Sequence, residues 1–126
     1  DIHSAFHHVE EQLDTDDKFD REVRRTCREA FQLKHTATLD ATDFLGQSCP
    51  LICSFPSAVQ ATAKHNEDFQ TAIIETAKAG GDNAGRAAMI GSWIGARIGA
   101  DKLPKEWIKK LNRSSKIYRI LENWGL

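Results

Sequence analysis

Along most of the chain, apolar residues recur three or four positions apart, the spacing of one face of an α-helix. Ile2, Phe6, Val9 and Leu13 form a first stripe. The polar run from Asp14 to Asp17 breaks it and can cap a second stripe, carried by Phe19, Val23, Cys27, Ala30 and Phe31 and ending near Leu33. From His35 to Pro50 the pattern loosens among Thr, Asp, Gly46 and Pro50, which predicts the least regular segment. Pro56 is placed to open a third helix at its first turn, running to about His65. Asn66 is the expected cap of a fourth, with Phe69, Ala72, Ile73 and Ala77 on one face. Gly80-Gly81 stops that helix, because glycine accepts the left-handed conformation favoured just past a helix C-terminus. Asp82 caps a fifth helix reaching about Gly99, Pro104 opens a sixth, and Ser114 or Ser115 caps a seventh with Ile117, Ile120, Leu121 and Trp124 on its apolar side. No alternating run of useful length, internal repeat, low-complexity tract or linker interrupts this pattern, so the expectation is one all-α domain over residues 1–126.

Composition narrows the class. A chain of 126 residues with 40% hydrophobic and 28% charged residues is long enough for one buried core. A net charge of −1 gives no general electrostatic case for nucleic acid. The basic end (Lys105, Lys109, Lys110, Arg113, Lys116, Arg119) reads first as a solvated helix face. Three cysteines, Cys27, Cys49 and Cys53, are too few for a disulfide framework and point to a reducing compartment, the cytoplasm or the nucleus. The longest small-residue apolar stretch, Ala87 to Ala100, falls short of the ~20 residues that span a bilayer and carries Arg97, so no membrane is expected. The opening Asp1-Ile2-His3, without an initiator Met or a signal peptide, is what a piece of a longer protein would show.

The fifth helix is unusual. Gly85, Gly91, Gly95 and Gly99 lie within it, and each interior glycine costs a helix about 1 kcal/mol relative to alanine. Gly91, Gly95 and Gly99 share a face, which predicts a central helix on which neighbouring backbones approach closely. At its start Asp82 has two readings. As an N-cap its carboxylate accepts a backbone N–H at the positive helix end, the usual role of an Asp in this place. As a metal ligand it would need further oxygen donors nearby.

The stretch Gly80-Gly81-Asp82-Asn83-Ala84-Gly85-Arg86, followed by Ala87-Ala88-Met89-Ile90-Gly91-Ser92-Trp93-Ile94-Gly95-Ala96-Arg97-Ile98-Gly99, resembles the C-terminal signature of the ADP-ribosylglycohydrolase family, Gly-Gly-Asp-Thr-Asp-Thr in its usual form. The resemblance extends to Leu45-Gly46-Gln47-Ser48-Cys49 with Ser54-Phe55-Pro56-Ser57-Ala58-Val59 before the motif, and to Leu103-Pro104-Lys105-Glu106-Trp107 after it, spanning about residues 44 to 111. It implies an all-α bundle of which this chain is the C-terminal part. It also implies two magnesium ions with Asp82 as a ligand, and cleavage of ADP-ribose from a protein or other acceptor. The loop Gly46, Gln47, Ser48 and Cys49 would lie near bound ADP-ribose. Two dications about 4 Å apart repel by roughly 16 kcal/mol at an effective dielectric of 20, so clustered carboxylates are required. Here the chain departs from the family. Ala84 stands where the second Asp belongs and cannot coordinate, and Gly85 stands where a Thr belongs. Thr15-Asp16-Asp17 imitates an N-terminal family motif but lies in the wrong order and reads as a helix cap. With Asp-Asn-Ala-x-Arg at the motif, the chain looks like the J-type crystallin and selenoprotein J branch, whose members serve structurally or have unproven activity.

The leading expectation is therefore a family member with weak or absent hydrolase activity, acting as a crystallin-like structural protein or an ADP-ribose binder. The alternative is an active magnesium-dependent hydrolase whose remaining ligands lie in an N-terminal half, and a weaker third is a helical interaction module. Arg86 is read either as a guanidinium near the vacated ligand position that replaces a cation's charge and pairs with Asp82, or as a solvated arginine on the first turn. Cys49 and Cys53 read as buried thiols rather than zinc ligands, since no further thiol or His follows at zinc spacing. His3, His7 and His8 read as an exposed helix face.

Overall fold

The computed structural model describes residues 1–125, and every element among them is helical: α1 (Ile2–Glu10), α2 (Lys18–Gln32), α3 (Thr38–Leu45), α4 (Leu51–His65), α5 (Phe69–Lys78), α6 (Asn83–Ile98), a 3-10 turn at Ala100–Lys102, α7 (Lys105–Lys110) and α8 (Ser114–Asn123). Aspartates open four of them. Asp1 accepts from the Ser4 N–H, Asp17 from Phe19 and Asp20, Asp68 from Thr71, and Asp82 from Gly85.

Several expectations are corrected. The segment from His35 to Pro50 contains α3, an eight-residue helix whose Thr38, Ala41 and Thr42 are buried. The polar content that made it look irregular is threonine turned inward. Pro56 does not open a helix; it is the sixth residue of α4, which begins at Leu51. Proline lacks the N–H that the Ile52 carbonyl would accept four residues back, so that helical hydrogen bond is missing. The cap of α5 is Asp68 rather than Asn66, which instead ends α4 with φ 51°. On α5, Ala77 is exposed while Ala72 and Thr76 are buried. Neither Ser114 nor Ser115 caps α8, whose Ncap is Arg113 in the left-handed region.

The central helix is α4, not the glycine-rich α6. It packs against α1, α2, α3, α5 and α6. Its residues from Pro56 to Thr62 are all buried, and small side chains there (Ser57, Ala58, Ala61, Thr62) let the surrounding helices close in. One core cluster joins Ala58 and Ala61 of α4 to Ala72, Ile90 and Ile94, and a second joins Val59 to Cys27 and Ala30 of α2. Trp93 packs against both. Gln60, fully buried, donates to the carbonyls of Leu33 (3.0 Å) and Thr36 (3.3 Å) and so ties the α2–α3 turn to the core. The glycines of α6 do not hold backbones together. A Cβ at Gly91 would meet Ile73 and Phe69 side chains at 3.8 Å, and one at Gly95 would meet Phe69 at 4.0 Å, both ordinary contacts. None of the residues of α1, α7 or α8 is buried.

Candidate functional site

The site is built where α5 stops and α6 begins. Ala79 ends α5, and Gly80 (φ 77°) and Gly81 (φ 65°) turn the chain through the left-handed region. At Gly81 a side chain is excluded twice, by that φ and because a Cβ would run into the Gln47 carbonyl. The turn is thereby pressed against the loop after α3. The Asp82 N–H donates to the Gln47 carbonyl at 2.8 Å, and the Gln47 side chain returns with its Nε2 donating to the Ala79 carbonyl at 3.3 Å and to Asp43 Oδ1 at 3.4 Å. Asp82 and Gln47, both expected at the site, are thus in direct contact.

Asp82 is half-buried, and its Oδ1 accepts from the Gly85 N–H at 3.2 Å. The carboxylate lies over Gly85 so closely that a Cβ there would collide with it. Ala84 is exposed. Of the other expected residues, Gly46 (φ 124°) is half-buried against Cys53, and its carbonyl lies 2.9 Å from the Ser57 hydroxyl. Ser48 and Cys49 are exposed at the rim of the same loop. The reading of Cys49 and Cys53 as buried thiols is corrected: Cys49 is exposed and Cys53 half-buried.

At Arg86 the solvated reading is corrected, and the pairing with Asp82 acts through space only. The arginine is not solvated, since only 1% of it is exposed. Its hydrogen bonds also do not go to Asp82. Nη1 donates to the Gln47 carbonyl at 2.9 Å, and Nη2 to the Gly80 carbonyl and to Asn83 Oδ1 at 3.1 Å. Burial pulls the guanidinium below its ordinary pKa and the charge of Asp82 opposes that shift, yet arginine keeps its proton in proteins. Asn83 was missed in the sequence as a site residue. Its signal was present, because it stands three residues before Arg86 and therefore on the same helix face.

These donors do not make a two-magnesium centre. Such a centre needs several oxygen ligands carrying clustered negative charge. Asp82 is engaged as a cap, Ala84 has no donor, and among the described residues no three His, Cys, Asp or Glu side chains gather where they could hold an ion. A largely apolar cavity of about 650 Å³ opens elsewhere, lined by Phe6, Val23, Cys27, Val59, Trp93 and Ile94 among others. Neither Asp82 nor the Gly46–Cys49 loop contributes to it.

The described residues thus form an all-helical bundle in which a Gly-Gly-Asp turn docks on the Gln47 loop. A profile of the ADP-ribosylglycohydrolase family matches residues 1–125, and the chain belongs to that family. Among curated proteins it is similar to Crystallin J1A of Tripedalia cystophora, 27% identical over 103 residues, covering 82% of this chain and 32% of the relative. It is also similar to Crystallin J1B of the same organism, 25% identical over 96 residues, covering 76% and 30%. The chain therefore spans about a third of the length of the curated relatives it matches. No solved structure matches it at a significant level.

Proposed function

We propose that this protein is an ADP-ribosylglycohydrolase-family member with weak or absent hydrolase activity, serving as an ADP-ribose binder or a crystallin-like structural protein. The observation that supports it is the state of the motif itself. The one carboxylate at the signature, Asp82, caps Gly85, and the neighbouring ligand position is Ala84. With no second carboxylate, the charge that two dications demand is lacking at this turn. The similarity to two proteins named crystallins agrees with structural use. Partners on this reading are ADP-ribose or an ADP-ribosylated protein, met at the Gly46, Gln47, Ser48 and Cys49 loop. No described helix is long and apolar enough to cross a membrane.

One observation favours the other reading, an active magnesium-dependent hydrolase. Asp82 is retained and half-buried, and the chain spans only about a third of its relatives, so further ligands would come from outside these 126 residues. The two readings separate by magnesium-dependent release of ADP-ribose from a modified protein, measured on the protein carrying this chain and on its Ala84→Asp variant. The proposal expects silence from the first and gained activity in the second. Turnover by the unmodified protein would refute it. Silence of both, with ADP-ribose still bound in calorimetry, keeps the binder and places the loss of catalysis beyond this one position.

A further inference from the structure

The turn before α6 gathers oxygens from two separate parts of the chain. The carbonyls of Gln47 and Gly80 and the Oδ1 of Asn83 surround the Arg86 guanidinium, Gln47 at Nη1 and the other two at Nη2, with the Asp82 carboxylate acting on it through space. Carbonyl and amide oxygens beside a carboxylate are the donor set that a hard cation takes. Here the cation among them is the guanidinium of Arg86, almost wholly buried. Its planar fork reaches two loops at once, Nη1 to the loop after α3 and Nη2 to the glycine turn, which a single ammonium cannot do.

We propose that Arg86 is a built-in cation that clamps the Gln47 loop onto the Asp82 turn, so that the candidate ligand loop is assembled without metal. Gln47 shows the consequence. Its carbonyl receives both the Asp82 N–H and Arg86 Nη1, so the loop's backbone position is set by one cation and one amide from the motif. The binding consequence rests on the reading of Gly46–Cys49 as an ADP-ribose loop; the clamp itself does not.

The test uses the protein carrying this chain. Exchange of its Asp82 amide should be the same in magnesium and in EDTA, because the cation at this turn is Arg86 itself. Arg86→Ala should quicken amide exchange at Asp82 by at least about tenfold, the factor expected when a charge-assisted hydrogen-bond network is lost, while α4 core amides stay protected. Methylguanidinium at sub-denaturing concentration should restore part of that protection, and Arg86→Lys should not. A magnesium-induced slowing of Asp82 exchange in the unmodified protein would overturn the proposal. So would an Arg86→Lys variant as protected as the parent, or unchanged Asp82 exchange in Arg86→Ala. Calorimetry with ADP-ribose adds the binding arm: equal affinity in magnesium and EDTA is expected, and a requirement for magnesium refutes metal-free assembly. If ADP-ribose fails to bind under both conditions, the ligand reading falls, while Asp82 exchange still decides the clamp.

Discussion

At the scale of single residues, the contact between Asp82 and Gly85 has the clearest consequence. An alanine at 85 brings about 1 kcal/mol of helix propensity but drives its Cβ into the capping carboxylate, whose loss costs about the same. Gly85→Ala should therefore leave stability unchanged or lower it. In an Asp82→Ala background the collision is gone, and the same substitution should stabilise by about 0.5–1 kcal/mol, a coupling that a double-mutant cycle of thermal melts reads directly. Gly91→Ala and Gly95→Ala provide the contrast. Their Cβ atoms meet only side chains at 3.8–4.0 Å, so each should stabilise by about 0.5–1 kcal/mol. The thiols differ as sharply. Cys27 is fully buried, and burial pushes its pKa up to about 11, whereas Cys49 is exposed. Iodoacetamide at pH 8 should label Cys49 in the native protein and leave Cys27 untouched until the chain unfolds, as peptide mass mapping would show.

At the scale of elements, α4 is held by polar as well as apolar contacts. His65, at its C-terminal end, lies 2.9 Å from the Thr38 hydroxyl at the start of α3. Burial, aided by Lys64, lowers the His65 pKa below its ordinary 6.5. The neutral ring is therefore favoured in the folded state. The stability it contributes is complete above about pH 6.5 and is lost as the pH falls through the lowered folded value. A melting-temperature profile should decline below pH 6.5, and His65→Gln should flatten part of that decline. Gln60 makes the second tie. Gln60→Leu keeps the volume but strands the Leu33 and Thr36 carbonyls, and should cost about 1–3 kcal/mol in denaturant unfolding. The sequence hid α3 and the start of α4 for different reasons. Pro56 suits a first helical turn and so drew the start of α4 five residues too late, whereas in α3 the inward-facing Thr38 and Thr42 break the apolar stripe, and Thr38 meets its partner His65 only in the folded chain.

At the scale of the molecule, burial is uneven. The interior is concentrated around α4, while α8 presents Ile117, Tyr118, Ile120 and Trp124 largely to solvent, and Phe44, Leu51 and Ile52 stand exposed beside the candidate loop. Several large apolar side chains exposed on one short helix and beside one loop favour association. The isolated 126-residue chain should sediment as a self-associating species, and Ile120→Lys with Trp124→Ser should shift it toward monomer; a monodisperse monomer before substitution would contradict the expectation. Much of this protein was legible in its sequence. The helical class, the polar break that caps α2, the glycine stop after α5, the Asp82 cap and the family signature all follow from local rules, since a 3.6-residue period, a capping carboxylate and a left-handed glycine act within a few residues of themselves. Only the tertiary structure decided that α4 rather than α6 is central, that Arg86 is buried, and that the Gln47 carbonyl meets the Asp82 turn. The reason is physical: the Gln47 contact runs through a backbone oxygen, which every residue possesses and no sequence can mark. Which helix lies at the centre depends on how five others close around it.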